Sequence, residues 1–377
     1  MGRYRQNRFW LASSNKKLHG NLIGHSYTGG MEPSSSTNVS SHMSNKDSLP
    51  RVFSGVQPTG TLHLGTYLGA LRQWVASQEE RDNIFCVVDL HALTIPEAVD
   101  PQKLREASRV VAALFFASGI EPDRNIVFVQ SHLHEHAELA WILNCTTPLG
   151  WLQRMTQFKS KSQTTASIGT GLLDYPVLQA ADILLYNTDL VPVGEDQRQH
   201  VELTRDIATR FNNLFGEVFP LPQVSIPDIG AKIMGMDDPT IKMSKSFDQE
   251  RVGHAINLLD SEKVVRKTIM SAVTDSGREC RFKYASPGVL NLMTIYRVLS
   301  GLAKSQVEAE FEDEGYGYLK SAVADLVLNE LEPIRQKFNS YMGDPAELDR
   351  ILHKGAQRAR EIAWPVLDKV KGAVGIG

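Results

Sequence analysis

Two separated segments of the chain carry residues suited to binding phosphate groups. The first, Gln57–Thr66, reads QPTGTLHLGT and lies between a short apolar run and a helical pattern. Small residues at a helix start leave backbone N–H groups and the positive end of the helix dipole available to an anion, and His63 adds a side-chain donor. Gly65 has no side chain to block a nucleotide ring. Taken alone, a histidine in a first helical turn is more often a cap or a packed side chain.

The second segment is the loop sequence KMSKS, which runs from Lys242 through Met243, Ser244 and Lys245 to Ser246 among turn-forming residues. Two lysines on a loop are usually solvated charges. Paired with a glycine-containing helix start, they form a bipartite pattern suited to neutralising the phosphates of a nucleotide. The two segments together therefore indicate a nucleotide site more specifically than either segment alone.

A third group of residues is suited to binding a ligand that carries a hydrogen-bond donor. Tyr175, Gln179 and Asp182 are spaced by four and three residues and lie on one helical face. A buried carboxylate needs a donor, which an indole N–H or a phenol O–H can supply. A ligand without such a donor, such as a phenyl group, would leave Asp182 unpaired and would bind poorly. The alternative is that Asp182 pairs with a lysine or caps a neighbouring element.

Histidines elsewhere resemble a metal site only superficially. His132, His134 and His136 alternate and would share one face of an extended segment. No second ligand cluster with metal-site spacing accompanies them, so we predict no metal site. His91 follows a predicted strand and is expected near the ligand edge of the sheet.

The elements that must position these groups follow an alternating order. Apolar runs predict strands at 52–56, 84–89 and 126–129, and apolar spacing predicts helices at 64–75 and 101–118. Strands alternating with helices indicate a doubly wound, Rossmann-like parallel sheet of the α/β class. Ligands bind such sheets beyond the carboxyl ends of the strands, where Gln57–Thr66 and the residues after Asp89 lie.

After about residue 250 the strand-like runs disappear. Helices are predicted at 262–274, 289–302, 317–342 and 345–374. We therefore predict an extension at 1–50, a catalytic domain at 51–250 and an all-helical domain at 251–377.

Composition excludes several classes of protein. The chain has 377 residues, 42% of them apolar, and its longest apolar stretches are far shorter than the roughly 20 residues of a membrane-spanning helix. Three scattered cysteines argue against a disulfide scaffold. The net charge of −3 divides into +4 for residues 1–50 and −7 for the rest, which argues against coating nucleic acid through bulk charge.

Residues 1–50 are basic, rich in serine and almost free of acids, as is typical of a transit peptide for the chloroplast, the mitochondrion or both. The alternatives are a disordered tail, or an upstream extension of a cytosolic form that begins at Met31 or Met43.

The HLGT and KMSKS segments together resemble the HIGH and KMSKS signatures of class I aminoacyl-tRNA synthetases. The resemblance implies a fold that activates an amino acid with ATP. Lys242 and Lys245 would hold the β- and γ-phosphates, and His63 would donate to the phosphate chain. Mg²⁺ would be held mostly by phosphate oxygens and water. The implied ATP-binding residues are Gln57, His63, Gly65, Thr66, Gly194, Asp196, Gln197, Lys242, Met243, Ser244, Lys245 and Ser246.

The wider sequence resembles the bacterial-type tryptophanyl-tRNA synthetase family from about Val52 to Gly372, notably in AADILLYNTD, PVGEDQ and MTQFK. This implies L-tryptophan and tRNA(Trp) as substrates, a homodimer, and, with the extension, a role in organellar translation. The implied tryptophan-binding residues are Phe53, Tyr175, Gln179, Asp182, Val193 and Gln197, and Lys161 matches a mobile phosphate-contacting lysine. Gln179 stands where the family often has methionine, and His63 where many bacterial relatives have threonine.

The family role of the C-terminal helices is to bind the tRNA anticodon. Six cations there would supply positive charge for phosphates: Arg335, Lys337, Arg350, Lys354, Arg358 and Arg360. The alternative is a charged, solvated helix face. Rival functions are a tyrosyl-tRNA synthetase, a small-molecule nucleotidyltransferase with the same signatures, and a non-catalytic tRNA-binding protein. The helical region argues against the second, and His63, Gln197 and the two lysines argue against the third.

Overall fold

The structure is a computed structural model that describes residues 49–58, 62–96, 99–162, 168–225, 232–244 and 253–377. For residues 160–162 and 196 it describes the backbone only. Ser48–Gly377 forms one compact unit. The transit peptide predicted at 1–50 falls almost wholly outside the described residues and stays a prediction.

A five-stranded parallel sheet forms the centre of this unit, in the order β3-β2-β1-β4-β5. The strands are β1 Arg51–Val56, β2 Asp82–Val87, β3 Ile126–Val129, β4 Leu190–Pro192 and β5 Gln223–Ser225. The chain order reverses between β1 and β4, as in a doubly wound sheet. The predicted α/β fold class is confirmed. Strands β4 and β5, which have three residues each, were not predicted from the sequence.

Twelve helices accompany the sheet in the described part of the chain, besides short 3₁₀ turns. The first, α1, is one continuous run of Leu64–Thr66, a π-helical segment Tyr67–Leu71, and Arg72–Ala76. The others are α2 Pro101–Ala117, α3 Glu135–Thr146, α4 Leu149–Gln153, α5 Thr156–Ser162, α6 Thr170–Leu184, α7 Arg198–Phe215, α8 Glu262–Met270, α9 Pro287–Ser300, α10 Lys304–Glu310, α11 Tyr316–Gly343 and α12 Pro345–Val374.

The two faces of the sheet are covered by different helices. Phe85, Val87 and Val127 face a cluster formed with α1, α2 and the C-terminal helices up to Leu352. Ile84 and the other alternate residues face a second cluster, formed mainly with α3, α6 and α7. The alternation follows from the period of two along each strand. Since all four residues of β3 are buried, this strand is covered on both faces.

Helix α12 passes from one cluster to the other across β3, the strand at the edge of the sheet. Leu352 belongs to the first cluster and Ala356 to the second. Between them, a Cβ built on Gly355 would lie 1.8 Å from the carbonyl oxygen of Val127, so only glycine allows this close approach. The predicted boundary near residue 250 therefore separates two kinds of secondary structure within one compact unit.

Candidate active site

A cavity of about 340 Å³ opens at the carboxyl ends of β1 and β4, where the strand order reverses. Its position is that expected for the ligand site of a doubly wound sheet. Seven residues that the sequence analysis assigned to amino-acid or ATP binding line it: Phe53, Gln57, Tyr175, Gln179, Asp182, Val193 and Gln197. Gly194 directly follows Val193 and begins the 3₁₀ turn that contains Gln197. The structure thus brings together residues from three separate segments of the chain.

Asp182 lies at the buried end of this cavity, on α6, and its side chain accepts three hydrogen bonds. Oδ1 accepts from Gln130 Nε2 at 2.6 Å and is 2.7 Å from His136 Nδ1. Oδ2 is 2.9 Å from His91 Nε2. A carboxylate has about four acceptor positions, so one position remains, and it is on Oδ2. His91 also lines the cavity, so Oδ2 is the oxygen on the side of a bound ligand.

These donors keep the carboxyl group of Asp182 ionised. Burial alone would raise its pKa, but the hydrogen bonds from His136 and His91 outweigh burial and lower the pKa to about 2. A charge in this position is stabilised before any ligand binds. The cavity therefore ends in a fixed anionic acceptor.

The three donors to Asp182 alter what is expected of a ligand that lacks a hydrogen-bond donor, such as phenylalanine. From the sequence, such a ligand was expected to leave Asp182 unpaired. The structure instead pairs Asp182 with Gln130, His91 and His136, so phenylalanine would leave one acceptor position unused rather than a bare carboxylate. Asp182 should therefore discriminate less strongly between ligands with and without a donor than an unpaired buried carboxylate would.

The same helix contributes a second polar pair to the cavity. The Tyr175 hydroxyl lies 2.9 Å from His200 Nε2, on α7. Burial raises the pKa of Tyr175 to about 12, so its hydroxyl stays protonated and can donate. Gln157 and His200 line the same cavity, although the sequence analysis did not assign them to it.

His63 is the N-cap of α1. Its Nδ1 accepts from the backbone N–H of Thr66 at 3.3 Å, and Nε2 lies 3.2 Å from the Thr66 hydroxyl. The capping role considered in the sequence analysis is therefore present. The neighbouring Gly65 leaves room for two groups, because a Cβ there would lie 3.0 Å from the His63 ring and 3.5 Å from Met243 Cβ. The two segments that are predicted to bind phosphate are thus adjacent.

Lys242 is exposed and stands on a short antiparallel ladder. The N–H of Gly235 donates to Ile241 O at 2.8 Å, and the N–H of Met243 donates to Ile233 O at 3.0 Å. A helix of the C-terminal region holds this ladder, since Asn291 on α9 bonds both the N–H and the C=O of Met234, at 2.9 and 3.0 Å. The ladder fixes the backbone that carries Lys242.

Several predicted site residues lie outside the described part of the chain. Lys245 and Ser246 are beyond Ser244, where the description of this loop stops, and the side chains of Lys161 and Asp196 are not described. Their assignments remain predictions.

The histidine triplet has different roles from those its spacing suggests. His136 is fully buried and bonds Asp182, whereas His132 stacks on His353 of α12 with ring centroids 4.8 Å apart. His134 is exposed and precedes α3. His136 and Gln130, the donors to Oδ1 of Asp182, were also missed by sequence reasoning. The available signal was that Gln130 directly follows a strand, at the ligand edge of the sheet.

Most of the six cations predicted to contact tRNA are bonded within the protein. Arg350 pairs with Glu347 and Lys354 with Asp123, at 2.6 and 2.8 Å. Three arginines bond the backbone or a buried acid: Arg335 bonds Asp260 O, Arg358 bonds Pro122 O and Asn125 O, and Arg360 bonds Glu135. Four of these five cations tie α11 or α12 to segments elsewhere in the chain, whereas Arg350 pairs with Glu347 within α12.

In the described part of the chain, no group of three or more His, Cys, Asp or Glu side chains is arranged to hold a metal ion. None of the described helices combines the length and the apolarity that crossing a membrane requires.

Comparison with known proteins identifies the class. Residues 45–332 match the family of tRNA synthetases class I (W and Y). The chain therefore belongs to the class I tRNA synthetases for tryptophan and tyrosine.

Its relatives narrow this class further. The chain is 50% identical over 327 residues to the tryptophan–tRNA ligase of Wolinella succinogenes, covering 86% of this chain and 98% of that protein. The ligase of Thermosynechococcus vestitus is 51% identical over 330 residues, covering 86% and 99%. A tryptophanyl-tRNA synthetase structure from Campylobacter jejuni, complexed with ADP and tryptophan, is 37% identical with a TM-score of 0.75, covering 86% and 100% of the two chains. Within the class, the chain is a member of the tryptophan–tRNA ligases.

Proposed function

We propose that this protein activates L-tryptophan with ATP and then transfers it to tRNA(Trp). The observation that carries the proposal is the cavity at the carboxyl ends of β1 and β4, which has an aromatic wall at Phe53 and Tyr175 and a fixed anionic acceptor, Asp182, at its buried end. An indole N–H is a donor without an acceptor and suits the open position on Oδ2. The pyrrole edge of the substrate would therefore point to Asp182.

In the first step a carboxylate oxygen of tryptophan attacks the α-phosphorus of ATP. The new bond is P–O to the carboxylate, the bond that breaks is that to the bridging oxygen, and pyrophosphate leaves with the electron pair. No proton needs to be removed, so the protein contributes by positioning and by neutralising charge. Lys242 and Lys245 would hold the leaving phosphates, and Lys161 would contact them as well. His63 would donate at the start of α1, where the helix dipole also favours an anion.

Mg²⁺ accompanies ATP in this proposal. By the family resemblance, the ion would be held mostly by phosphate oxygens and water. When bound, the ion neutralises phosphate charge. The residues of this chain that would bind the nucleotide are Gln57, Gly194 and Gln197. Lys161 and the KMSKS loop would add positive charge.

In the second step a hydroxyl of the terminal adenosine of the tRNA attacks the carbonyl carbon of the tryptophanyl group. An ester C–O bond forms, the bond from this carbon to the phosphate oxygen breaks, and AMP leaves with the electron pair while the hydroxyl proton passes to the leaving phosphate or to solvent. Since five of the six predicted phosphate-binding cations are bonded within the protein, the tRNA would contact the C-terminal helices through other groups or by displacing exposed pairs such as Arg350–Glu347. The family role of these helices, anticodon binding, is part of the proposal.

The assembly we propose is a homodimer. Trp141 on α3 is 70% exposed and Leu149 on α4 is 56% exposed, and large apolar side chains on consecutive helices are typical of an interaction surface. Trp141→Glu should shift the protein to a monomer in sedimentation velocity. A protein that is already monomeric before the change would contradict the proposal.

The proposed location is the chloroplast, the mitochondrion or both, for organellar translation. It rests on the composition of residues 1–50. A fluorescent protein fused after residue 50 should accumulate in one of these organelles, and a diffuse cytosolic signal would contradict targeting.

The experiment that tests the activity is amino-acid-dependent exchange of pyrophosphate into ATP, with tryptophan, tyrosine and phenylalanine compared. We expect exchange with tryptophan only. Lys242→Gln should reduce kcat by roughly 100-fold, because a charge that stabilises the transition state is lost, with little change in the KM for tryptophan. Lys103→Gln, on a lysine that is 83% exposed, is the matched control and should change neither constant. Exchange driven by tyrosine would move the assignment to the sister enzyme, and no exchange would favour a binding protein.

A further inference from the structure

A chain of three buried side chains stands behind the cavity. The Tyr186 hydroxyl lies 2.8 Å from His136 Nε2, and His136 Nδ1 lies 2.7 Å from Asp182 Oδ1. Tyr186 and His136 are fully buried, and neither lines the cavity. The reaction proposed above assigns them no role.

The geometry fixes where the protons of this chain lie. Burial raises the pKa of Tyr186 well above its ordinary value, so its hydroxyl keeps its proton and can donate to Nε2. With Nε2 accepting from Tyr186, the ring proton lies on Nδ1 and is donated to Asp182. This assignment satisfies every polar atom of the pair. The opposite tautomer would place two acceptors, Nδ1 and Oδ1, 2.7 Å apart.

The two oxygens of Asp182 are therefore unequal. Oδ1 has both of its acceptor positions filled, by His136 and Gln130, whereas Oδ2 has one filled, by His91. The carboxylate is held so that its single open position is on the cavity side.

We propose that His136 and Tyr186 are positioning residues for substrate selection: Tyr186 holds His136 in the Nδ1–H tautomer, and His136 occupies Oδ1, so that Asp182 offers one acceptor to a ligand donor. This inference rests on the proposed function. It extends that function, because it assigns part of the choice of amino acid to two residues that no substrate touches.

Aromatic packing keeps the pair in place. The Tyr186 ring stacks on Phe53, a cavity wall, with centroids 5.6 Å apart and planes 10° apart. Phe128 packs against both His136 and Tyr186, at 5.8 and 6.0 Å. Rotation of either ring would disturb these contacts, so the hydrogen bonds and the packing support the same orientation.

Three variants separate the roles. Tyr186→Phe removes only the hydroxyl and leaves Nε2 of His136 without its donor. His136→Leu removes the donor to Oδ1. His136→Asn keeps a donor near the position of Nδ1 and is the conservative rescue variant. Tyr296→Phe is the matched control, because its buried hydroxyl bonds Glu310 in the helical region.

The readouts are kcat and KM in pyrophosphate exchange for tryptophan, tyrosine and phenylalanine, and KM for ATP. For Tyr186→Phe and His136→Leu we expect the selectivity for tryptophan over phenylalanine to fall about tenfold, mainly through the KM for tryptophan, since a hydrogen bond to a charged group is weakened. The KM for ATP should not change. His136→Asn should recover most of the selectivity, and Tyr296→Phe should keep it.

Two results would overturn the inference while leaving the proposed function standing. One is unchanged selectivity in Tyr186→Phe and His136→Leu. The other is an equal loss for all amino acids and ATP together with a lower unfolding midpoint, which indicates a purely structural role. If the unchanged protein exchanges no pyrophosphate with tryptophan, the proposed function itself fails.

A measurement on the unchanged protein decides the case if the buried variants do not fold. The ¹⁵N NMR shifts of histidine distinguish the two neutral tautomers, and sequential resonance assignment of the unchanged protein identifies the signals of the His136 ring. We expect His136 to carry its proton on Nδ1. A proton on Nε2 alone would refute the arrangement directly.

Discussion

Replacing Asp182 by asparagine or by alanine should have sharply different consequences, because the carboxylate serves three donors as well as a ligand. In Asp182→Ala the donors on Gln130, His91 and His136 lose their acceptor. His91 lines the cavity and can bond water there, but the other two are fully buried and do not reach it. Two unsatisfied buried donors at about 1–3 kcal/mol each give a loss of about 2–6 kcal/mol. That is a large part of the roughly 5–15 kcal/mol by which proteins of this kind are stable.

Asp182→Asn preserves the shape and one oxygen. The two donors on the Oδ1 side should hold the amide oxygen there, so the amide nitrogen replaces Oδ2. His91 can adapt by accepting at Nε2, and we expect a loss of only about 1 kcal/mol of unfolding free energy. An indole N–H, however, would then meet another donor. We expect kcat/KM for tryptophan to fall by roughly 30- to 150-fold, corresponding to the loss of about 2–3 kcal/mol for a bond to a charged group.

The assays are pyrophosphate exchange with tryptophan and phenylalanine, and urea unfolding of the protein and both variants. Activation of phenylalanine should be almost unaffected in Asp182→Asn, since it makes no bond to Oδ2. The reasoning fails if Asp182→Asn keeps its preference for tryptophan, or if Asp182→Ala is as stable as the unchanged protein. Loss of activity in the alanine variant alone would not identify an indole contact.

The same group predicts a dependence of stability on pH. The folded-state pKa of Asp182 is lowered to about 2 from an ordinary 3.8. A lowered pKa means that this contribution to stability is fully present above about pH 4 and is lost as the pH falls towards 2. In Asp182→Asn the contribution is absent, so its unfolding free energy should fall less steeply over this range. Parallel curves for the two proteins would contradict the assigned pKa.

Two further predictions concern how α12 is held. Gly355→Ala should destabilise the protein by about 1–3 kcal/mol in urea unfolding, because the added methyl group would clash with the carbonyl of Val127. Gly372→Ala in the same helix is the control and should be neutral or stabilising by up to about 1 kcal/mol, since nothing lies within 4 Å of its Cβ. Arg360→Met should also cost about 1–3 kcal/mol, because it leaves the fully buried Glu135 without its cation. Adding Glu135→Leu should recover much of that loss, and a double variant as unstable as the single one would contradict this explanation.

The sequence predicted the elements whose pattern is local. Continuous apolar runs predicted β1 to β3, and the spacing of Leu64, Leu68 and Leu71 predicted α1. It did not predict the π-helical segment within α1, because a shift from one hydrogen-bonding register to another leaves apolar spacing almost unchanged. The strands β4 and β5 have too few residues to show a period of two.

In the site, too, residues on one helix were predicted, whereas residues brought together by packing were not. The spacing of Tyr175, Gln179 and Asp182 correctly placed them together on one helix beside the cavity. The donors to Asp182 could not be found this way, since Gln130 and His136 are some fifty positions distant in the chain and meet it only through the packing of β3 and α3 against α6. The alternating histidines resembled a metal site in the sequence. In the structure His136 is fully buried and bonds Asp182 instead.

The crossing of α12 over β3 affects how the chain acquires its structure. The edge strand Ile126–Val129 consists of four apolar residues, and its protection includes the contact with Gly355, which is synthesised much later. Until that helix docks, the edge offers unpaired backbone groups and apolar side chains to any other chain with a similar edge. A contact so distant in sequence also forms slowly, because a long loop must close first. The interval between synthesis of β3 and docking of α12 is therefore the period in which this protein most needs protection from aggregation.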